Sequence, residues 1–228
     1  MTKEEIALQE KKKAATASLQ WVKDGMVVGL GTGSTAFHMV EALGARVKHG
    51  LKIVGVPSSN ATEALAKSQG IPLTTLEKVK QLDLTIDGAD EFNSTFQLIK
   101  GGGGALLREK ILAHNSNLNV IIADSSKQVV RLGKFKLPLE TIPFATNSII
   151  SELDALELKP TLRQNKGKVF TTDEGNYIVD ISVFDVDDLT ALSSRLINIP
   201  GIVETGLFLS TTDIILVGKG DKANILKK

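Results

Sequence analysis

The sequence has no cysteine, and aromatic residues make up only 4% of its 228 residues. The absence of cysteine excludes disulfide bonds, thiolate nucleophiles and cysteine metal ligands, and it suits a reducing compartment. The few aromatic residues are scattered and form no row on which nucleic-acid bases could stack. We therefore expect a site built from carboxylates, amines, hydroxyls and backbone groups.

An excess of charge of one sign is also lacking. The sequence has 27 Lys and Arg against 26 Asp and Glu, a net charge of +1, so no overall field favours nucleic acid or an anionic membrane. No apolar run has the length of a membrane span, and the charged residues 1–13 lack the apolar segment of a signal peptide. His38, His49 and His114 lie far apart and predict no metal site. We expect a cytoplasmic protein without nucleic-acid or membrane partners.

The order of apolar patterns predicts an α/β fold. Strand-like runs alternate with helical patterns over residues 26–124, which is typical of a doubly wound, mostly parallel, Rossmann-like sheet. The order then changes to strand, helix, a hairpin of residues 169–172 and 177–183, and helix, which predicts a smaller inserted α+β domain of the ferredoxin-like kind. We predict a catalytic domain of residues 1–132 and 205–228, and a small domain of residues 133–204. Two last apolar runs, residues 206–209 and 214–217, are predicted to return to the first sheet.

Residues 29–35, with sequence GLGTGST, follow a predicted strand and open a helix. Their N–H groups and the hydroxyls of Thr32, Ser34 and Thr35 could bind a phosphate, although a capped strand-to-helix turn fits the pattern equally well. A dinucleotide fingerprint is excluded because Ser34 replaces a required glycine and Pro57 stands where an acid should end the second strand. A Walker loop is excluded because its lysine is missing. A site for a small phosphoester remains.

Asp87 and Asp90 flank Gly88 and Ala89 in an acidic turn at the end of another predicted strand. The turn could hold solvated acids, as in an Asx turn, or a divalent metal ion. It could also aim two carboxylates into a crevice beyond the sheet, where Lys100 would supply a cationic partner without any metal.

Four glycines, residues 101–104, follow Lys100 and lead into a helix. Such a run usually needs positive φ angles or a close approach of the backbone to another group, and N–H groups at the helix start could face a ligand oxygen. Glu109 is placed near the border of a buried face marked by Leu107 and Ile111. It could be a general base or a solvated helix glutamate. Lys127 could be a surface lysine or could pair with an anion.

Six motifs in order resemble the ribose-5-phosphate isomerase type A family. They are GLGTGST at 29–35, VPSS at 56–59, DGADE at 87–91, KGGGGALLREK at 100–110, ADSSK at 123–127 and LGKF at 132–135. They span the first two-thirds of the chain, and PGIVETGLF at 200–208 fits the family as well. One departure is Gly104, where close relatives in that family have alanine.

The resemblance implies interconversion of D-ribose 5-phosphate and D-ribulose 5-phosphate in the pentose phosphate pathway, with neither a metal ion nor an organic cofactor. It implies Glu109 as the base that abstracts the proton, with Asp87, Asp90 and Lys100 assisting ring opening and holding the enediolate. The implied substrate-binding residues are Thr32, Gly33, Ser34, Thr35, Asp87, Gly88, Ala89, Asp90, Lys100, Gly101, Gly102, Gly103 and Lys127. A homodimer or homotetramer is also implied, with the second domain as the natural place for its contacts.

Two other classes of protein compete with this interpretation. A non-catalytic phosphosugar-sensing module could share the fold, but such modules normally accompany a DNA-binding helix-turn-helix, which the N-terminal residues lack. An amino-sugar phosphate isomerase or an acyl-CoA transferase would leave this combination of motifs unexplained.

Overall fold

The computed structural model describes all residues from Met1 to Lys228. Its helices are α1 Lys3–Ser18, α2 Ser34–Lys48, α3 Asn60–Ser68, α4 Leu106–His114, α5 Thr146–Ala155 and α6 Leu189–Ile197. Its strands are β1 Val27–Leu30, β2 Val54–Pro57, β3 Leu84–Gly88, β4 Glu91–Phe92, β5 Leu98–Ile99, β6 Asn119–Asp124, β7 Leu137–Thr141, β8 Thr161–Leu162, β9 Gln164–Asn165, β10 Lys168–Val169, β11 Tyr177–Ile181, β12 Ile202–Thr205, β13 Leu207–Phe208, β14 Ile214–Lys219 and β15 Lys222–Lys227. Short 3-10 turns lie at Leu19–Trp21, Leu76–Lys78 and Ser125–Lys127.

The chain divides into two compact units. The first unit contains Met1–Ala89, Arg108–Gln128 and Ser210–Lys228, and the second contains Asp90–Leu107 and Val129–Leu209. The assignment of residues 1–132 and 205–228 to a catalytic domain, and of 133–204 to a small domain, stays a prediction.

A six-stranded sheet forms the centre of the first unit. Its strand order is β15-β14-β6-β3-β1-β2, and all neighbours are parallel except β14 and β15. Buried residues of alternating strand positions, such as Ile86 and Ile122, share one core with Ala14 of α1 and Met39 of α2. The α/β fold with a mostly parallel sheet is confirmed.

The parallel arrangement determines where polar groups of the first unit gather. Strands β1, β2, β3 and β6 run in the same direction, so their carboxyl ends lie at one edge of the sheet. Residues 31–35, Ser58 and Ser59, Asp87 and the Ser125–Lys127 turn follow or end these strands. This is the edge at which open α/β sheets bind ligands.

The second unit contains a strand-helix-strand-strand-helix-strand series made by β7, α5, β8, β11, α6 and β12. These strands form an antiparallel sheet in the order β12-β7-β11-β8, and Leu139, Ile149, Val179 and Leu196 belong to its core. This is the ferredoxin-like arrangement, so the predicted α+β class of this part is confirmed. A separate small sheet has the order β13-β5-β4.

The predicted hairpin of residues 169–172 and 177–183 is wrong in its first strand. In the sheet, β11 pairs with β7 and β8, and residues 171 and 177 form only an isolated bridge. Strand β10 pairs with β9 across a turn at Lys166 and Gly167, whose φ angles are positive, at 50° and 76° respectively. Positive φ at both central residues suits a two-residue hairpin turn, and this local turn separates β10 from the main sheet.

The C-terminal runs are predicted correctly only in part. Strand β14 joins the first sheet beside β6, as expected. Strand β13 instead pairs with β5 in the second unit. Strand β15 was not predicted, because its largely exposed residues show no clear apolar alternation, and it forms only through its pairing with β14 after a turn at Gly220.

A buried carboxylate fastens α1 to the end of β6. Glu10 accepts hydrogen bonds from the Ser125 N–H at 3.0 Å, the Ser125 Oγ at 2.7 Å and the Gly220 N–H at 3.1 Å. Burial raises the pKa of the Glu10 carboxyl, but the hydrogen bonds from Ser125 and Gly220 and the charge of Lys219 outweigh it and lower the pKa overall. Glu10 therefore stabilises the fold mainly in its charged form.

We expect Glu10→Gln to lower the free energy of unfolding at neutral pH by about 1–2 kcal/mol, because an amide group replaces one accepting oxygen. A depressed pKa in the folded protein means that this contribution is present above the unfolded pKa and is lost as the pH falls through the folded pKa. The free energies of unfolding of wild type and variant, measured by urea denaturation, should therefore converge as the pH falls through the lowered pKa of Glu10. Glu4→Gln, an exposed change on the same helix, is the control. A difference in the free energy of unfolding between wild type and Glu10→Gln that stays the same at low pH would contradict this role.

Candidate active site

In the first unit, Asp87 is hydrogen-bonded to the glycine loop that follows β1. The buried Asp87 Oδ1 accepts hydrogen bonds from the Thr32 N–H at 3.0 Å and from the Gly88 N–H at 2.7 Å. A Cβ at position 31 would overlap the Asp87 carboxylate, so only glycine fits there. The acid at the end of β3 therefore sets the path of the predicted phosphate loop.

A cluster of hydroxyl groups holds the same loop from β2 and α3. The Thr32 Oγ1 lies 2.7 Å from the Ser58 Oγ, 2.9 Å from the Ser59 Oγ and 3.1 Å from the Thr62 Oγ1. Thr62 also donates to the Gly31 carbonyl at 3.0 Å. Ser58, Ser59 and Thr62 are not among the site residues predicted from the sequence. The available signal was the pair of serines directly after a predicted strand.

The start of α2 supplies backbone N–H groups beside this loop. Gly33 precedes the helix with a φ angle of 105°, and no side chain caps the first turn. Helix N–H groups without a capping side chain are suited to an anion. A cavity of about 570 Å³ opens here, and its lining includes Gly31, Thr32, Gly33, Ser34 and Phe37.

Lys127 ends the 3-10 turn that follows β6, and it is half-buried. Asp124 accepts a hydrogen bond from the Ser126 N–H at 3.0 Å, and Glu10 holds Ser125. Two acids thus fix the turn that carries Lys127 at the carboxyl edge of the sheet.

Ala89, another predicted substrate-binding residue, is half-buried and is the last residue of the segment Met1–Ala89 of the first unit.

Glu109 lies on the buried face of α4, in its first turn. Only 5% of Glu109 is exposed, and Leu106 and Leu112 on either side of it along the helix are also buried. The predicted face was wrong, because Ile111 is 40% exposed. The spacing of Leu106, Glu109 and Leu112 is three residues, so the carboxylate occupies a position that a core residue would normally hold.

In the second unit, Asp90 directly precedes β4 and Lys100 directly follows β5, so both lie at the same end of this antiparallel pair. The Asp90 N–H donates to the Ile99 carbonyl at 2.9 Å, and its Oδ2 accepts from the Gly102 N–H at 2.7 Å. Lys100 is buried, and its Nζ lies 5.3 Å from the centre of the Phe208 ring. In the second unit, the Asp90 carboxylate is therefore hydrogen-bonded to the glycine run, and the buried cation Lys100 directly precedes this run.

The glycine run of residues 101–104 has both positive φ angles and close approaches of the backbone to other groups. Gly101 and Gly104 have φ angles of 98° and 77°. A Cβ on Gly102 would lie 2.6 Å from the Asp90 Oδ1, and a Cβ on Gly104 would clash with the Phe170 ring. Alanine at position 104 would therefore need a strained positive φ angle and a shift of the Phe170 ring.

Glu91, next to Asp90, has a structural role that the acidic motif does not reveal. It is buried, and its carboxylate accepts hydrogen bonds from the Gly133 N–H and the Phe135 N–H, both at 2.7 Å. It thus joins the DGADE and LGKF motifs within the second unit.

Two further observations concern classes of site. No group of three His, Cys, Asp or Glu side chains is arranged to hold a metal ion. None of the helices combines the length and the apolar character needed to cross a membrane.

The structure gathers the predicted residues in two places, one in each unit. Thr32, Gly33, Ser34, Thr35, Asp87, Gly88 and Lys127 lie at the carboxyl edge of the first sheet. Asp90 and the loop of Gly101, Gly102 and Gly103 contact each other in the second unit, directly after Lys100. Glu109 belongs to the first unit and lies on α4.

Comparison with known proteins identifies the family. The chain matches the model of ribose 5-phosphate isomerase A, or phosphoriboisomerase A, over residues 54–222. It is 49% identical over 216 residues to ribose-5-phosphate isomerase A of Sphingopyxis alaskensis, with 95% of each chain covered.

Solved structures give the same result. Ribose 5-phosphate isomerase A from Methanocaldococcus jannaschii is similar with a TM-score of 0.92 and 40% identity, over 100% of both chains. A D-ribose-5-phosphate isomerase in complex with phospho-erythronic acid is similar with a TM-score of 0.93 and 38% identity, again over 100% of both chains. The resemblance of the motifs is thus confirmed, and the chain belongs to the ribose 5-phosphate isomerase A family.

Proposed function

We propose that this protein is an aldose–ketose isomerase that interconverts D-ribose 5-phosphate and D-ribulose 5-phosphate in the pentose phosphate pathway. Glu109 removes the proton from C2 of the open-chain aldose, and the resulting enediolate receives a proton at C1 to give the ketose. The reverse reaction uses the same groups. The absence of cysteine suits the reducing cytoplasm, where we place the enzyme.

The burial of Glu109 is the observation that carries the proposal. A glutamate that only solvates a helix is exposed, whereas Glu109 takes a core position in the first turn of α4. A general base needs a carboxylate that is shielded from bulk water and fixed in direction. The position of Glu109 in the motif KGGGGALLREK supports this role.

The enediolate needs groups that accept negative charge as it moves between O1 and O2. Lys100 offers a buried ammonium group, and the glycine loop after it offers backbone N–H groups, which are suited to an oxyanion. Asp87 and Asp90 assist the proton transfers of ring opening. The phospho-erythronic acid bound by a relative supports this assignment, because its carboxylate and the enediolate both spread charge over two oxygens.

The phosphate of the substrate needs an anchor of its own. The uncapped start of α2, with Gly33, Ser34 and Thr35, and the half-buried Lys127 are suited to this task. Thr32 joins this loop to Asp87 through its N–H group, so that binding of the phosphate also aligns a catalytic acid.

Replacement of the base tests the proposed reaction. We expect Glu109→Gln to keep its affinity for ribose 5-phosphate and to lose turnover by about 10²- to 10⁴-fold, because the amide cannot accept the proton. Calorimetric titration measures the binding, and a coupled assay measures the turnover. Glu63→Gln, which removes a carboxylate paired with Lys67 on α3, is the control and should remain active. Near-full activity of Glu109→Gln would refute the role of Glu109.

Isotope exchange separates the enzyme from a phosphosugar-sensing module of the same fold. In D₂O, the isomerase should place deuterium on the carbon that receives the proton, since a carboxylate exchanges its proton with solvent. A panel of phosphosugars shows which substrates undergo this exchange. Binding of ribose 5-phosphate without deuterium uptake would favour the sensing module.

Chelation tests whether Asp87 and Asp90 act through a metal ion. We expect EDTA to leave the rate of isomerisation unchanged, because Asp87 accepts backbone hydrogen bonds and Asp90 holds the Gly102 N–H. Inactivation by EDTA that a divalent metal ion reverses would instead support the metal interpretation of the acidic turn.

We also propose a homodimer or homotetramer that forms through the second unit. Val130 and Phe144 of this unit are fully exposed, at 101% and 100%, which is unusual for large apolar side chains. Light scattering after size exclusion should give two or four times the chain mass. Phe144→Asp should lower this mass, whereas Ile225→Asp on the exposed strand β15 of the first unit should not. The opposite result would move the interface to β15.

A further inference from the structure

Arg163 of the second unit joins two groups of contacts that the proposed reaction does not explain. Its guanidinium binds both carboxylate oxygens of Asp180, through Nε at 2.8 Å and through Nη2. Its remaining nitrogen, Nη1, donates to the carbonyls of Gly101 at 2.8 Å and Gly102 at 3.2 Å. Asp180 thus holds one edge of the guanidinium, and the other edge points at the glycine loop.

Phe170 completes the support of this arginine. The Arg163 Cζ lies 5.9 Å from the centre of the Phe170 ring, and the Phe170 N–H donates to the Arg163 carbonyl at 2.9 Å. The same ring fills the space that a Cβ on Gly104 would need. One aromatic ring therefore packs against both the arginine and the end of the loop.

The planarity of the peptide bond gives these contacts a direction. In a trans peptide the C=O group and the following N–H group point in opposite directions. The unit between Gly101 and Gly102 is held at both ends, with its C=O on Arg163 and its N–H on Asp90. By the same geometry, the C=O of Gly102 on Arg163 turns the N–H of Gly103 to the opposite side.

We propose that Arg163 is a positioning residue that aims the Gly103 N–H at the negatively charged oxygen of the enediolate formed from the phosphosugar. Asp180 and Phe170 keep its guanidinium in place. This inference rests on the proposed function, in which the loop binds the substrate. Lysine could not replace Arg163, because an ammonium group lacks the planar fork that binds Asp180 and leaves a donor for the loop.

The test compares Arg163→Lys with Arg131→Lys. Arg131 makes the same kinds of contact elsewhere in the second unit: it pairs with Asp187, donates to the Phe184 carbonyl and lies 5.8 Å from the Phe184 ring centre. It is more exposed than Arg163 and does not touch the loop. It therefore controls for the loss of a guanidinium as such.

We expect Arg163→Lys to lower kcat for ribose 5-phosphate, and with it kcat/KM, by about 10²-fold and to leave KM nearly unchanged, because the affected N–H acts on an oxygen that becomes charged only in the enediolate. Inhibition by inorganic phosphate, which reports on the anchor at residues 32–35, should stay unchanged. Arg131→Lys should match the wild type in both measurements. A purely structural role of Arg163 would instead weaken substrate and phosphate binding together.

Hydrogen exchange followed by NMR tests the loop without any turnover. The Gly102 N–H, which is bonded to Asp90, should exchange faster in Arg163→Lys and at the wild-type rate in Arg131→Lys. Unchanged exchange at Gly102 together with unchanged kcat/KM would overturn the proposal. If Arg163→Lys does not fold, Asp180→Asn decides by the same two measurements. A wild-type protein without ribose 5-phosphate turnover would refute the function, while the exchange rates would still decide whether Arg163 orders the loop.

Discussion

The contact between the Asp87 carboxylate and the backbone at Gly31 is the constraint on which the first unit's part of the site depends. The carboxylate occupies the space of a missing Cβ and accepts the N–H of Thr32, so β3 and the loop after β1 cannot move independently. Because β1 and β3 are parallel neighbours, this contact forms where both strands end. It converts a generic glycine turn into a loop with one defined direction, which is what a phosphate site at the start of α2 requires.

The second unit uses the same physical device at another glycine loop. Gly102 lies so close to Asp90 that a side chain would collide with the carboxylate. The Phe170 ring occupies the space that a Cβ on Gly104 would need. In both units, acids bind backbone N–H groups directly, and glycine permits the approach. The entropic cost of ordering glycine is thus offset by hydrogen bonds to charged groups, which are stronger than bonds between neutral groups.

Three buried glutamates have different surroundings in this protein. Glu10 fastens α1 to the turn of Lys127, and Glu91 accepts two N–H groups although it lies in the acidic motif. Glu109 is buried to a similar degree and takes a core position on α4. The hydrogen-bond donors of Glu10 and Glu91 come from distant parts of the chain, so these roles cannot be derived from the identity of the residue.

The sequence by itself determined the α/β class, the ferredoxin-like part and the motif positions, because strand and helix periodicity and glycine-rich turns are local properties. It did not predict the pairing of β11 with β8, strand β15 or the buried face of α4, since these depend on partners that are distant along the chain. The hydroxyl cluster around Thr32 and the grip of Arg163 on the glycine loop arise in the same way. Only the tertiary structure could decide them, because hydrogen bonds across 26 or 62 residues exist only after the strands have aligned.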